Sequence, residues 1–193
     1  MGTMTHDADF AIVEPALERI KAAFGDHVSI DLLGVSARHD MPAWVNRVGL
    51  PVNAAASYAG FTNWITQQHW DIGIAPLADT PFNRCKSAIK TLDYAAIGMA
   101  VLASDMEVYR GSPADGPGGW LVPNDAGAWF VALTRLLRDK ALRLRLADGA
   151  RAAVADWTLA AQASERRAAW LSLVRRRPRR AAGVARREAI QAG

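Results

Sequence analysis

The stretch DIGIAPLADTPFNRCKSAIKTLDYAAIGMAVLASD, residues 71–105, contains two short apolar runs separated by one helical pattern. The first run, DIGIAPL, is followed closely by prolines, and the second run is AVLAS. A strand, a helix over 86–97 and a second strand at this spacing favour a right-handed crossover between parallel strands. This segment alone therefore predicts an α/β fold.

The chain on either side continues the alternation. Phe10, Val13, Leu17 and Ile20 follow helical spacing, and Asp7 or Asp9 is expected to cap that helix. The other expected strands are HVSIDLLGV (27–35), a weaker AAASYAGF (54–61) and WLV (120–122). The other expected helices are TNWITQQHW (62–70), one that begins after Asn124 or Asp125, and two around 140–155 and 158–175. The pattern predicts a Rossmann-like parallel sheet flanked by helices.

Composition excludes several classes of protein. The chain has 193 residues and is 51% hydrophobic, which is ample for a core, but no apolar run reaches the length of a membrane span. Its start, MGTMTHDADF, has neither the basic region nor the apolar stretch of a signal peptide. The one cysteine, Cys85, excludes an internal disulfide framework and fits a reducing compartment. We expect a cytoplasmic protein.

Charge divides the chain into two parts. From Glu165 onward there are nine arginines and two glutamates, a balance of +7, which leaves −3 for residues 1–164 out of a total of +4. We therefore predict a domain over 1–164 and an Arg-rich helix or tail over 165–193. Such a tail is either a solvated extension or a weak contact with an anionic surface, such as the inner face of a membrane or nucleic acid.

Positive charge is concentrated where a helix is expected to start. Lys86 and Lys90 lie four residues apart, although cations are disfavoured near a helix N-terminus and repel each other at this spacing. At 100° per residue, both lysines and Asp93 share one side of the helix. A diphosphate would satisfy the lysines and the backbone N–H groups, and Asp93 would accept sugar hydroxyls. The alternative is that Lys90 and Asp93 simply pair at the surface.

The opposite part of this helix is predicted to face the sheet. The residues expected there are Ala88, Ile89, Leu92, Ala95 and Ala96.

Residues 71–105 also resemble a known family. The string DI-x-hydrophobic-PL followed by NRxKSxxKxx(E/D)YxAxGxxVxAS is similar to the donor-binding half of GT-B glycosyltransferases of family 4. The likeness continues through GGWLVPND (118–125) and the helices after it, and reaches back to GTMTHDADF (2–10). It covers about residues 2–164 and is strongest over 71–155.

The resemblance implies a hexosyltransferase-like enzyme whose donor is a UDP- or GDP-sugar and which requires no metal or other cofactor. The acceptor is not implied. Several residues match the family's donor-binding positions. Lys86 and Lys90 match those near the diphosphate, with Arg84 beside them, and Asp93 matches the residue at the ribose. Gly2, Thr3 and His6 match the first loop, and Gly60 and Phe61 match the turn beside the base. No catalytic residue is assigned. Asp93 departs from the family's usual glutamate and is one methylene shorter.

The resemblance also implies parts that this sequence lacks. GT-B enzymes carry an N-terminal acceptor domain, and the likeness here begins inside the first loop, after the strand that should come first. We therefore expect the strands in HVSIDLLGV and DIGIAPL to lack their shared neighbour, with unpaired ladder groups on both, unless a partner chain fills the gap. The alternative function is a truncated, non-catalytic nucleotide-binding module or a partner subunit.

Overall fold

The structure is a computed structural model that describes residues 6–175. It divides into two compact units, one that ends at Trp157 and one that begins at Thr158. Of the elements that the structure describes, all but one belong to the first unit, and the remaining one, a long helix, belongs to the second. The sequence-based boundary at residue 164 falls inside that helix.

The described elements alternate as the sequence predicts. The strands are β1 (Ile30–Leu33), β2 (Val45–Val48), β3 (Ile72–Ala75), β4 (Ala100–Ser104) and β5 (Gly119–Val122). The helices are α1 (Asp7–Phe24), α2 (Val52–Ala55), α3 (Tyr58–Ile65), α4 (Ile89–Ala96), α5 (Ala126–Arg138), α6 (Lys140–Val154) and, in the second unit, α7 (Leu159–Arg175).

All strand pairs in the described chain are parallel. β1 pairs with β2 in one sheet, and β3, β4 and β5 form a second sheet in that order. Helices flank both sheets, so the fold is mixed α/β and Rossmann-like, as predicted. β1 and β3 do not pair with each other, which agrees with the expectation that these two strands lack a shared neighbour.

Two apolar clusters hold the first unit together. On one face, α1 and α5 pack on β1 and β4, and Trp129 of α5 is fully buried among them. On the other face, α4 and α6 pack against β4, with Tyr94 and Ala150 buried. Because β4 is buried along its whole length, it is the central strand of this unit.

Two local predictions are wrong, and one strand was not predicted at all. Residues 54–61 form no strand: they lie in α2 and α3, because the Ser57 hydroxyl accepts the Gly60 N–H and caps α3. The helix predicted over 62–70 begins earlier, at Tyr58, and ends at Ile65. β2 was not predicted, since two of its four residues are exposed and polar and leave no apolar run.

The buried side of helix α4 matches the predicted one only in part: Ala95 is buried, but Ala96 is exposed. Ile89 is 51% exposed, whereas Thr91 and Tyr94 are buried. Both buried hydroxyls have partners: Thr91 donates to the Ala88 carbonyl, and Tyr94 donates to the Ile74 carbonyl of β3. These hydrogen bonds remove the usual cost of burying a polar group.

Within residues 6–175, no helix combines the length and the apolar character needed to cross a membrane.

Candidate functional site

The carboxyl end of β3 is tied to the start of α1 by the buried carboxylate of Asp9. One of its oxygens accepts the Ala78 N–H at 2.7 Å and the Asn83 side-chain amide at 3.3 Å. The other lies 2.5 Å from Nδ1 of His6. Asp9 therefore does not cap α1 as predicted; it fixes the loop that follows β3, and with it the approach to α4.

A second polar cluster joins the ends of β3, β4 and β5. The Ser104 hydroxyl accepts the Leu77 N–H at 2.8 Å and donates to the Asn124 side chain at 2.6 Å. The Asn124 amide donates to the Leu77 carbonyl at 2.8 Å. Each of these groups is paired, so the cluster is a fixed base beneath the loop between β3 and α4.

Lys86 and Lys90 lie on that loop and on the first turn of α4, and both are partly buried. The Lys86 ammonium lies 5.2 Å from the centre of the exposed Phe82 ring. Neither ammonium has a hydrogen bond or ion pair with another residue of 6–175. The predicted alternative, a Lys90–Asp93 pair, is thus not seen. The two lysines therefore lie at the carboxyl edge without a direct ion pair in the described chain, and Asp9 acts on Lys90 only through its field.

The electrostatic state of Lys90 fits this arrangement. Burial lowers the pKa of its ammonium, the negative charge of Asp9 opposes the shift, and the positive charge of Lys86 adds to it. A bound anion would relieve both the desolvation and the repulsion. Lys90 is therefore a cation held where an anion would stabilise it.

The backbone at the start of α4 points the same way. The N-cap residue, Ala88, has no side-chain oxygen to bond the free N–H groups. The backbone N–H groups of residues 87–90 donate to no other residue of the described chain. Unpaired N–H groups at a helix start carry partial positive charge and bind anions.

Asp93 lies one turn further along α4 and is half-buried. Burial raises the pKa of its carboxyl, and a hydrogen bond from the Tyr58 hydroxyl at 3.4 Å opposes the rise. The Asp93 charge in turn raises the pKa of Tyr58. Tyr58 belongs to α3, and its ring lies 6.3 Å from that of Phe61. The Tyr58–Asp93 hydrogen bond thus connects α4 to α3, the helix that contains the predicted base-side residues Gly60 and Phe61.

The remaining predicted site residues have other partners or lie outside the structure. Arg84 forms a two-pronged ion pair with Asp79, at 2.6 and 2.8 Å, on the exposed surface. His6 pairs with Asp9 and donates its backbone N–H to the Val35 carbonyl beyond β1. Gly2 and Thr3 lie outside the described residues. The structure thus brings Lys86 and Lys90 close enough for their charges to interact, and gives Asp93, Arg84 and His6 protein partners.

The sequence did not single out the residues that support this site. In the sequence, Asn83 and Ser104 stand only as parts of a motif and of a strand, and Asp9 as a helix cap. Each has at least one hydrogen-bond partner far away in the chain, at separations of 74, 27 and 69 residues, respectively. A single sequence carries no local signal for contacts at such separations.

The chemistry available at this edge is the binding of an anion by two ammonium groups and free backbone N–H groups. Beside it are a carboxylate and a tyrosine hydroxyl that can bond neutral hydroxyl groups. Among residues 6–175, no group of three or more His, Cys, Asp or Glu side chains is placed to hold a metal ion.

Comparison with known proteins does not extend this assignment: no family model matches the chain, and no curated protein is similar enough to count as a match.

Proposed function

We propose that the first unit binds the diphosphate of a nucleotide-diphosphate sugar and acts as the donor half of a glycosyltransferase of the GT-B class, family 4. The observation that carries the proposal is that, within the described chain, Lys86 and Lys90 have no direct ion pair and lie beside the uncapped start of α4. A diphosphate supplies the two negative groups that this arrangement lacks.

In this proposal each side chain has a distinct task. Lys86 and Lys90 hold the diphosphate and stabilise the charge that develops on it as the glycosyl bond breaks. Asp93 and Tyr58 accept and donate hydrogen bonds at the ribose, and Phe61 borders the base. Arg84 would reach the phosphates only after release from Asp79.

The acceptor would bind on a domain or partner chain joined to this unit. Reaction in the cytoplasm, with the Arg-rich segment 165–193 at the inner membrane surface, is the setting we propose.

Calorimetric titration of the full chain with UDP, GDP and their sugar esters tests the proposal. We expect the Lys86→Ala, Lys90→Ala double variant to bind at least about tenfold more weakly, since each hydrogen bond to a charged group contributes roughly 1.5–3 kcal/mol. Lys140→Ala removes one positive charge at an exposed position at the start of α6 and serves as the control for each single lysine.

Equal nucleotide affinity in the wild type and the double variant contradicts the site. Binding that is lost with the lysines but not followed by sugar transfer or hydrolysis supports the alternative of a non-catalytic nucleotide-binding module.

A further inference from the structure

A cavity of about 470 Å³ lies between β1 and β3 in the first unit. Its two long sides are residues 28–31 and 70–74, the segments that contain most of these two strands. One face is covered by apolar side chains of α1 and α5, namely Leu17, Ile20, Leu133 and Leu137. The other face is covered by Tyr94 of α4 and by Met99, which follows α4. The cavity is thus flanked by two strand edges and roofed by helices.

The β3 side of the cavity presents backbone groups. Ala100 donates its N–H to the Asp71 carbonyl, so Asp71, Gly73 and Ala75 direct their backbone groups toward β4. Because backbone direction alternates along a strand, Ile72 and Ile74 direct theirs toward the cavity. The Ile74 carbonyl accepts a hydrogen bond from the Tyr94 hydroxyl at 3.1 Å, where a neighbouring strand would otherwise bond it.

The two strands that border the cavity run in the same direction. Beyond the end of β1, the Val35 carbonyl accepts the His6 N–H, and beyond the end of β3, the Ala78 N–H bonds Asp9. Both carboxyl ends therefore meet the start of α1. Each strand has four residues, so the two edges match in length as well as in direction.

We propose that this cavity binds one extended, apolar strand from another polypeptide, parallel to β1 and β3, which joins the two sheets into one. The order would become β2, β1, the added strand, β3, β4 and β5. The inference does not depend on the proposed function.

Two features of the cavity define the chemistry of this occupant. A small apolar ligand would fill the space but offer no acceptor to the backbone N–H groups of Ile72 and Ile74 that face it, and a peptide strand does. Helices cover both faces, so the added strand is buried on both sides and must be a continuous apolar run of about four residues, rich in Val and Ile. The helix side chains that cover its two faces are apolar and offer a charged segment no counter-ion; the ionisable residues of the lining, Asp31, Asp71, His27 and His69, belong to the two strand segments and the residues just before them.

A synthetic peptide, Lys-Val-Ile-Val-Val-Gly-Lys, tests the inference with the full chain; its lysines keep it soluble. The control peptide has the same side chains but is N-methylated at alternate residues, which removes the N–H donors along one edge. We expect the first peptide to bind and to slow hydrogen exchange of the Ile72 and Ile74 amides at least tenfold. The amides of Gly73 and Ala75, which face β4, should change little.

Three results would overturn the inference. One is equal binding of both peptides, which indicates apolar adhesion without strand pairing. Another is absence of binding by the unmodified peptide. The third is slow exchange of Ile72 and Ile74 in the peptide-free chain, equal to that of Gly73, which indicates that the chain itself already fills the cavity.

Discussion

The carboxyl edge of the three-stranded sheet has two parts that differ in how their polar groups are paired. Around Asp9, and around Ser104 and Asn124, the buried polar groups bond one another across long sequence separations. Around Lys86 and Lys90, the two ammonium groups form no hydrogen bond or ion pair in the described chain, and several backbone N–H groups have no acceptor there. The paired polar groups stabilise the fold, whereas the unpaired groups are available to bind a ligand.

This contrast makes opposite predictions for stability. Removing a group from the paired part leaves buried partners without hydrogen bonds, which is costly. Removing a lysine from the unpaired part breaks no contact that holds the fold. Substitutions in the paired part should therefore lower the free energy of unfolding. Substitutions of the lysines should lower the affinity for the nucleotide and leave the free energy of unfolding nearly unchanged.

Asp9→Ala should have the largest effect, a loss of about 3 kcal/mol in the free energy of unfolding. It leaves the Ala78 N–H and the Asn83 amide without their shared acceptor and removes the partner of His6. Urea unfolding followed by circular dichroism measures the change.

Asp7→Ala is the matched control for this substitution. Asp7 lies in the same first turn of α1 but is exposed, so only its interaction with the helix dipole is lost, about 0.5 kcal/mol. Equal losses in the two variants would mean that Asp9 contributes only as a helix-start charge, and the paired part would not be the anchor described here.

Ser104→Ala should have a smaller effect, a loss of about 1–2 kcal/mol. The Leu77 N–H loses its acceptor, but the Asn124 amide still bonds the Leu77 carbonyl. The control is Ser87→Ala at an exposed position, which should stay within about 0.5 kcal/mol of the wild type. If Ser104→Ala is equally neutral, water replaces the lost hydroxyl and the cluster is not closed.

The strands and helices that the sequence predicts are those with a local signal. α1 follows from its helical spacing and β4 from its apolar run, and Asp125 caps α5 as expected, by accepting the Ala128 N–H. β2 is not predicted because its sequence, VNRV, has the composition of a surface loop. Its strand conformation depends on pairing with β1, which the local sequence does not reveal. The strand predicted at 54–61 fails because its apolar residues are mostly alanines, which fit helices well.

The candidate site divides in the same way. The spacing of Lys86, Lys90 and Asp93 is a local property of one helix, so the sequence reveals it. The support from Asp9 and the contact of Tyr58 with Asp93 depend on chain segments 69 and 35 residues away. Arg84 illustrates the limit: its charge suggests a phosphate contact, but its nearest carboxylate, Asp79, is only five residues distant and binds it.

Lys90→Met should have the smallest effect on the free energy of unfolding, and the pH dependence of that effect has a definite sign. At neutral pH the wild type carries the cost of burying a cation, so the variant should be as stable or more stable. Because the folded-state pKa of Lys90 is below its ordinary value of 10.5, the unfolded chain holds the proton more tightly. Raising the pH through the folded-state pKa toward 10.5 therefore stabilises the wild type relative to the variant and removes any advantage of the variant.

Urea unfolding of the wild type and the Lys90→Met variant across this pH range measures the difference in their free energies of unfolding. Lys140→Met is the control: because Lys140 is exposed, its difference from the wild type should not change with pH. The same Lys90→Met variant should lose affinity for UDP or GDP. If it is instead less stable than the wild type at neutral pH by more than about 1 kcal/mol, the ammonium has a structural partner, and the distinction between the two parts of the edge fails. If the Lys90→Met variant is as stable as the wild type but binds UDP or GDP more weakly, the positive charge of Lys90 serves ligand binding and does not stabilise the fold.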